Sequence, residues 1–466
     1  MSKPISSSTQ NTAATEHHSF RKLLLGIVLV AALVRCYKLN APLADWHSFR
    51  QADTASVTRE YVKHGIDLFH PRYHDLSNIQ SGILTGGVDN LEGYRMVEFP
   101  FVNGGIAAFL RLFPNFDLVI VSRLFSIAAS LIALIALATL GKQLFSARVG
   151  LLSAGVFALL PFSVFYGRAI LPEPFLISFL TVSLLFFDRY QQNKITSNIL
   201  VSMGCFSLAL LLKPMAIFFL PAYLGIVLVR KNWKAVFDLR TIALGIVSLI
   251  PLFLWRQWIT QFPTGIPWSS WLYNLDGIRL RPAWWRWLFW ERLTKLWLGL
   301  SGLAFFGAGL IPTSLNMKKM GASGVLCLWG IGMGIYLVVF ATGNVRHDYY
   351  QVILLPFVSL VVGKGIDWFL SWKNKKVGLL FVMLATVFGM YFSWNQVKGY
   401  YSINHWEIVE AGKAADRVLP LDAKVIAPYN GDTAFLFQTN RTGWPIGFDL
   451  DKKIANGATH YVTVNF

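Results

Sequence analysis

Residues 118–140 read LVIVSRLFSIAASLIALIALATL, an apolar run broken by one charge, Arg123. About 20 mostly apolar residues wound as a helix match the hydrocarbon thickness of a bilayer. Comparable runs lie near 22–40, 149–167, 170–187, 196–212, 215–229, 241–258, 296–315, 321–341, 350–370 and 377–394. The expected fold is a polytopic α-helical membrane protein with about eleven transmembrane helices. Composition agrees. Hydrophobic residues make up 55% of the 466 positions and charged residues 14%, against roughly a quarter charged in soluble domains. Too little polar surface remains to coat a soluble protein of this length, so lipid must cover the rest.

The net charge of +18 does not point to nucleic acid, because the basic residues stand in short clusters between the apolar runs. Those clusters are Arg21/Lys22, Lys142/Arg148, Arg189/Lys194, Arg230/Lys231/Lys234, Lys318/Lys319 and Lys373/Lys375/Lys376. All fall on one side when the spans are threaded in order, as cytoplasmic loops require. The N-terminus is then expected in the cytoplasm and the C-terminus outside. Residues 99–113 (FPFVNGGIAAFLRLF) are short for a crossing and hold Pro100, Asn103, Gly104 and Gly105. Counting them as a span would break the one-sided pattern, so a re-entrant or interfacial helix is expected. The first run is expected to remain as an anchor, since Arg35 and Lys38 stand where a signal peptidase needs small residues. Cys36, Cys205 and Cys327 fit no disulfide or zinc spacing. They are expected to pack as small hydrophobes between helices.

Three regions follow. Residues 1–21, polar and Ser/Thr-rich, are expected to form a disordered cytoplasmic tail. Residues 22–394 form the transmembrane domain, with outer loops at 41–117 and 259–295. Residues 395–466 are expected to form a small outer α/β domain, with a helix at His405–Val418 and strands at Ala423–Pro428 and His460–Phe466.

The informative residues are the polar ones at the outer boundary. Directly after the first span stands Asp45-Trp46-His47-Ser48-Phe49-Arg50-Gln51-Ala52-Asp53-Thr54. Ser48 and Gln51 match a capping box, which predicts a helix from about Phe49 to Lys63. Asp45 would precede its N-terminus, where the dipole favours a carboxylate. A second group, Tyr166-Gly167-Arg168-Ala169-Ile170-Leu171-Pro172-Glu173-Pro174, sets an arginine and an acid in a tight outer turn, where an Arg168–Glu173 ion pair is the plainest account. Lys213 lies between two apolar runs, where snorkelling alone would explain it. Arg346-His347-Asp348-Tyr349-Tyr350 sits at the mouth of the ninth and tenth spans, as a solvated loop would.

Together these groups suit transfer of a sugar from a polyprenyl phosphate. A carboxylate could deprotonate the acceptor hydroxyl. Cations would hold the departing phosphate, arginine by bidentate contact and lysine as a point charge. The lipid tail needs a groove open to the bilayer. No P-loop and no Gly-rich turn after a strand is present, which disfavours a nucleotide-sugar donor. No cofactor motif is seen, and a divalent metal ion stays open.

Asp45–Thr54, the Tyr94–Gly105 segment with Glu98-Phe99-Pro100, the Lys142–Gly150 turn, Arg168 with Pro172-Glu173, and Lys213-Pro214 resemble the bacterial membrane glycosyltransferases of the GT-C class. The resemblance is nearest the family-39-like proteins, which include protein mannosyltransferases, aminoarabinose transferases of lipid A and rhizobial lipopolysaccharide core transferases. It spans residues 20–370, and Asp45–Thr54 is its most specific part. It implies a hexosyl- or pentosyltransferase of the bacterial inner membrane. That enzyme would act by inverting displacement on a cell-envelope glycan, lipid or protein acceptor. It also implies catalytic roles for Asp45 and, as the second outer acid, Glu173. Arg50, Arg168, Lys213, Arg346 and His347 are expected to bind the donor phosphate. Gln51, Asp53, Glu98 and Tyr350 are expected to make other substrate contacts. Protein mannosyltransferases carry an Asp-Glu pair at the first site, where this sequence has Asp45-Trp46. Glu173 stands where the class commonly has Asp.

The rival is a transporter or flippase of lipid-linked sugars. Such proteins tend to show paired halves with Gly/Pro-broken helices at matching positions. No such symmetry is visible, and the large first outer loop and the tail favour an enzyme. The threading makes a direct prediction. A reporter fused after Lys376 should read cytoplasm and one fused at Phe466 should read outside; both reading the same side would refute it.

Overall fold

The computed structural model describes residues 7–230, 233–312 and 321–465. Lys231, Lys318 and Lys319 lie outside the described residues. Each of the eleven expected segments contains helix. Among the described residues, four helices are long and apolar enough to cross a bilayer alone: Leu118–Leu144, Leu239–Ile259, Asp348–Leu370 and the run from Lys375. A pair bent by 116°, Pro282–Trp297 with Gly302–Leu310, could make a fifth. Phe101–Leu112, Ala147–Leu159, Thr196–Leu212, Pro214–Val229 and Ser323–Val339 are apolar but shorter. Eleven is therefore a number of helical segments, while the clear spans are four or five. The first helix runs Ser7–Arg35, so residues 7–21 are helical where disorder was expected. Adding residues to an established helix is far easier than nucleating one. Cys36 and Cys327 are exposed and Cys205 is half-buried; the two exposed thiols are not packed between helices.

Several segments break at proline. Ala147–Leu159 ends just before Pro161, which starts the short helix Pro161–Tyr166. A break frees carbonyls that water cannot reach at membrane depth. Arg35, with no exposed surface, answers them. It donates to the Ala158 carbonyl at 2.9 Å, the Phe157 carbonyl at 3.0 Å, Ser163 Oγ at 3.1 Å and Ser130 Oγ at 2.9 Å. Gly167 permits this approach, since a Cβ there would stand 2.5 Å from Arg35 Nε.

The helix predicted after Asp45 is present as Ser48–His64. Its cap is not the expected box. His47, in the left-handed region (φ 55°), precedes it without a side-chain cap. Ser48 Oγ instead donates to Asp432 at 2.9 Å and Gln51 reaches back to Asp45. Val57 and Tyr61 pack against Ala107 of the helix Phe101–Leu112. That helix, 12 residues long, measures about 18 Å, too short to cross a hydrocarbon core of about 30 Å.

The tail holds a parallel sheet of β1 (Lys424–Ile426), β2 (Thr442–Trp444) and β3 (His460–Tyr461) in the order β2-β1-β3. The helix Trp406–Val418 and β1 match expectation, but the last strand is two residues long, and β2 was not foreseen. The sheet is tied to the loop of residues 41–117. Gly443 N donates to the His74 carbonyl at 2.9 Å, and Leu76 N to the Gly443 carbonyl at 2.8 Å. Thr433 Oγ1 donates to Asp53 at 2.7 Å, and the Arg59 guanidinium lies 3.7 Å from the Phe437 ring centroid. The loop of residues 41–117 and the tail therefore form one body.

Arg35→Met should lower the stability of the purified protein by about 3 kcal/mol or more, because hydrogen bonds from charged groups contribute about 1.5–3 kcal/mol each. Thermal unfolding in one detergent would check this; a melting curve matching wild type would remove Arg35 from its role at the break.

Candidate active site

Asp45 is 4% exposed and its carboxylate is fully engaged. Oδ2 accepts from Arg168 Nη2 at 2.8 Å and Arg123 Nη2 at 3.4 Å, and Oδ1 accepts from Gln51 Nε2 at 2.8 Å. Gln51 Oε1 accepts from Ile170 N at 3.1 Å, and Arg123 donates to the Leu39 carbonyl at 2.9 Å. Arg168 lies 4.7 Å from the Tyr401 ring centroid. This corrects two expectations. Arg168 does not pair with Glu173, and neither Asp45 nor Arg168 faces open space. A buried carboxylate needs cations, and Arg168 meets that need from the turn beside it.

Glu173 turns the other way and pairs with Lys213, while Arg50 pairs with Glu98. Glu173 is 2% exposed, and its Oε2 has no partner among the described residues. Lys213 Nζ stands 4.8 Å from the Tyr350 ring and 5.4 Å from the Tyr349 ring. Burial opposes the Arg50 charge, but Glu98, with Tyr349, Glu173 and Asp53 behind it, raises its pKa above the ordinary value. Burial likewise opposes ionisation of Glu98, and Arg50, Lys213 and Arg95 overcome it and hold that carboxyl below its usual range. A small crevice lined by Arg50, Asp53, Arg95, Glu98, Asn103 and Leu212 opens beside the Arg50–Glu98 pair. Asp53 itself is committed to structure, accepting from Thr433 at 2.7 Å and Gln80 at 2.9 Å.

A third centre was not anticipated. Asp348, fully buried, accepts from His47 Nε2 at 2.7 Å, Tyr166 Oη at 2.5 Å and Trp46 Nε1 at 3.3 Å. Tyr400 also donates to it, and Arg292 Nη1 lies 3.5 Å away. His347 packs near His47, with ring centroids 5.4 Å apart. Burial pushes its pKa down to about 4, with His47 adding to the effect. Arg346 is exposed, 5.7 Å from the Trp271 ring. The expected single pocket of Arg168, Lys213 and Arg346 or His347 is not formed. Lys213 and His347 share the Tyr349–Tyr350 surface, whereas Arg168 and Arg346 are elsewhere. Asp348 had a signal, an acid at the start of an apolar run. Arg123 had one too, as the lone charge inside a span. Tyr400 and Arg292 had none.

An apolar groove runs along Ser7–Arg35, beside Lys375–Val397. Two cavities of about 1030 and 640 Å³ compose it and share Leu159, Pro161 and Met390. It extends from Phe20 and Ser146 to Tyr37 and Tyr401. Among the described residues, no three His, Cys, Asp or Glu side chains stand close enough to hold a metal ion.

The fold is one shared with solved proteins. The chain superposes on ArnT from Cupriavidus metallidurans in the apo state with a TM-score of 0.61, at 14% identity over 92% of this chain and 85% of that one. For the same protein bound to undecaprenyl phosphate the values are 0.60, 13%, 94% and 89%. The archaeal oligosaccharyltransferase AglB from Archaeoglobus fulgidus, in complex with an inhibitory peptide and a dolichol-phosphate, gives 0.53, 12%, 91% and 64%. Within the chain, residues 100–258 match the dolichyl-phosphate-mannose-protein mannosyltransferase family. No curated protein matches the sequence. Fold and family match together support the expected GT-C-type, family-39-like membrane glycosyltransferase.

Because Asp45 is the carboxylate paired with two buried guanidinium groups, Asp45→Asn should destabilise the protein by about 3–5 kcal/mol, the usual cost of breaking a buried pair. A boundary residue read from sequence alone would shift stability by about half a kcal/mol or less. Unfolding midpoints of the two proteins decide between these values.

Proposed function

We propose that the chain transfers a sugar from a polyprenyl-phosphate donor to a cell-envelope glycan, lipid or protein acceptor, on the outer face of the membrane and by inverting displacement. The observation that carries this reading is the pairing of Arg50 with Glu98 and Lys213 with Glu173. These are two buried cations, each held by one carboxylate, with a small crevice beside Arg50 and an apolar groove elsewhere in the scaffold. Phosphate oxygens would take the place of the carboxylates on Arg50 and Lys213, which then stabilise the charge that develops as the sugar leaves. The free Oε2 of Glu173 would meet a sugar hydroxyl. The acceptor oxygen bonds to the anomeric carbon while the carbon–oxygen bond to phosphate breaks, and its electron pair stays on the phosphate. The polyprenyl tail would lie in the groove beside Ser7–Arg35. The relatives solved with undecaprenyl phosphate and dolichol-phosphate support such a donor. Asp45 serves by fixing the loop that carries Trp46, His47 and Arg50, and a divalent ion would have to be recruited by groups that are not already clustered.

The test is sugar transfer by the purified protein from a synthetic polyprenyl-phosphate sugar. Lys213→Met should lose about a hundredfold to a thousandfold in kcat, as removal of one oriented charge donor does. Gly155 lines the groove, and a Cβ there would meet no atom within 4 Å. Gly155→Trp should therefore fill the groove without disturbing the core. Losing about 60 Å² of apolar contact costs about 1.5 kcal/mol, which is roughly tenfold in affinity. KM should rise by that factor for a full-length donor and stay unchanged for a short-chain one. Movement of lipid-linked sugar across vesicles, with no transfer, would favour the flippase instead.

A further inference from the structure

We infer that His47 is the base that deprotonates the acceptor hydroxyl and that Asp348 is its positioning residue, an assignment that rests on the sugar-transfer reading above. Asp45, the acid nearest in sequence, cannot take this role in the geometry described, since both its oxygens are occupied. His47 differs on three counts. Its Nε2 is 2.7 Å from Asp348 Oδ1. A carboxylate accepts only, so Nε2 carries the proton and Nδ1 of the neutral ring keeps its lone pair. Nδ1 has no hydrogen-bond partner among the described residues. The backbone is the second count. His47 holds φ 55° and ψ 40°, a left-handed conformation uncommon for a residue with a Cβ, and such conformations collect at functional sites. The turn swings the imidazole away from the Asp45 triad and toward Asp348.

The third count is placement. The His47 ring lies 4.9 Å from the Tyr349 ring, and Lys213 Nζ lies 5.4 Å from the same ring. Imidazole and phosphate-binding cation therefore flank one aromatic side chain. The distance from the centre of the His47 ring to Lys213 Nζ is therefore no more than the sum of those two distances. In the step itself, Nδ1 takes the proton of the acceptor hydroxyl as its oxygen bonds to the anomeric carbon. The phosphate departs toward Lys213 and Arg50 with the electron pair of the broken bond. The imidazolium formed is balanced by Asp348, whose other donors, Tyr166, Trp46 and Tyr400, keep the carboxylate from rotating. This is the division of labour in which a buried carboxylate sets the tautomer and an imidazole moves the proton.

The charged and titratable groups facing His47 are Asp348, Arg292, His347, Tyr349, Asp432 and, one turn along its own helix, Arg50. A base must be neutral to act, so kcat should rise with pH along an acidic limb and then level.

The experiment compares wild type, His47→Gln, His47→Asn and Asp348→Asn, each assayed with a synthetic polyprenyl-phosphate sugar and with donor binding measured separately. Asn tolerates the left-handed conformation, so at least one variant keeps the loop. His47→Gln and His47→Asn should lose about a hundredfold or more in kcat, bind donor within threefold of wild type, lose the acidic limb, and regain part of the rate with added imidazole. Asp348→Asn should lower kcat while keeping an acidic limb, displaced from its wild-type position. Wild-type kcat, or an intact limb, in either His47 variant overturns the assignment while leaving the sugar-transfer reading in place. Lost donor binding in both His47 variants, without imidazole rescue, overturns it in favour of a structural role. Absence of transfer by wild type overturns both.

Discussion

A carboxylate buried between two guanidinium groups is the constraint on which this end of the molecule depends. Each of these charges pays several kcal/mol on leaving water, and only close partners return it. Asp45 has those partners, Arg168 at 2.8 Å and Arg123 at 3.4 Å. Through them it fixes three pieces of chain. Arg123 comes from the span Leu118–Leu144 and also holds the Leu39 and Ala41 carbonyls. Arg168 comes from the turn after Pro161–Tyr166, and Gln51 links the same carboxylate to Ile170. The end of the first helix, the fifth-residue turn before Ser48 and the 167–172 turn are thereby set in one register.

That fixed point determines where its neighbours go. With Asp45 held inward, Trp46 and His47 reach Asp348 and Arg50 reaches Glu98. The left-handed residue at His47 makes the divergence over so few residues sterically feasible. Asp348 then gathers groups from four separate stretches of chain, so the loop, the short helix Pro161–Tyr166, the bent segment with Arg292 and the end of the Lys375–Val397 helix are coupled to one carboxylate.

The C-terminal tail belongs to the same arrangement. Its sheet is extended by residues 74–76 of the loop that follows the first helix, and Thr433 and Asp432 engage Asp53 and Ser48. Asp53 was expected to touch substrate; its oxygens serve this junction instead. The helix that carries Arg50 is thus clamped on one side by the Asp45 triad and on the other by the tail, which gives a rigid support to the groups that would meet a substrate.

The sequence by itself determined that this is a helical membrane protein, where most of its helices fall, and that polar groups gather at 45–54, 166–174, 213 and 346–350. Those properties are local: apolar run length, a shortage of charge and the grouping of basic residues are all readable along one dimension. It also carried the resemblance to GT-C enzymes. The tertiary structure decided the pairings. Arg168 answers Asp45 and not Glu173, Lys213 answers Glu173, and Asp348 collects His47, Tyr166 and Tyr400 across as many as 301 positions in sequence. In a medium where an unpaired charge is costly, every buried ion must find a partner, but several partners satisfy the same sequence equally well. Which one is taken depends on the direction each turn gives its side chains, and that direction exists only in the folded chain.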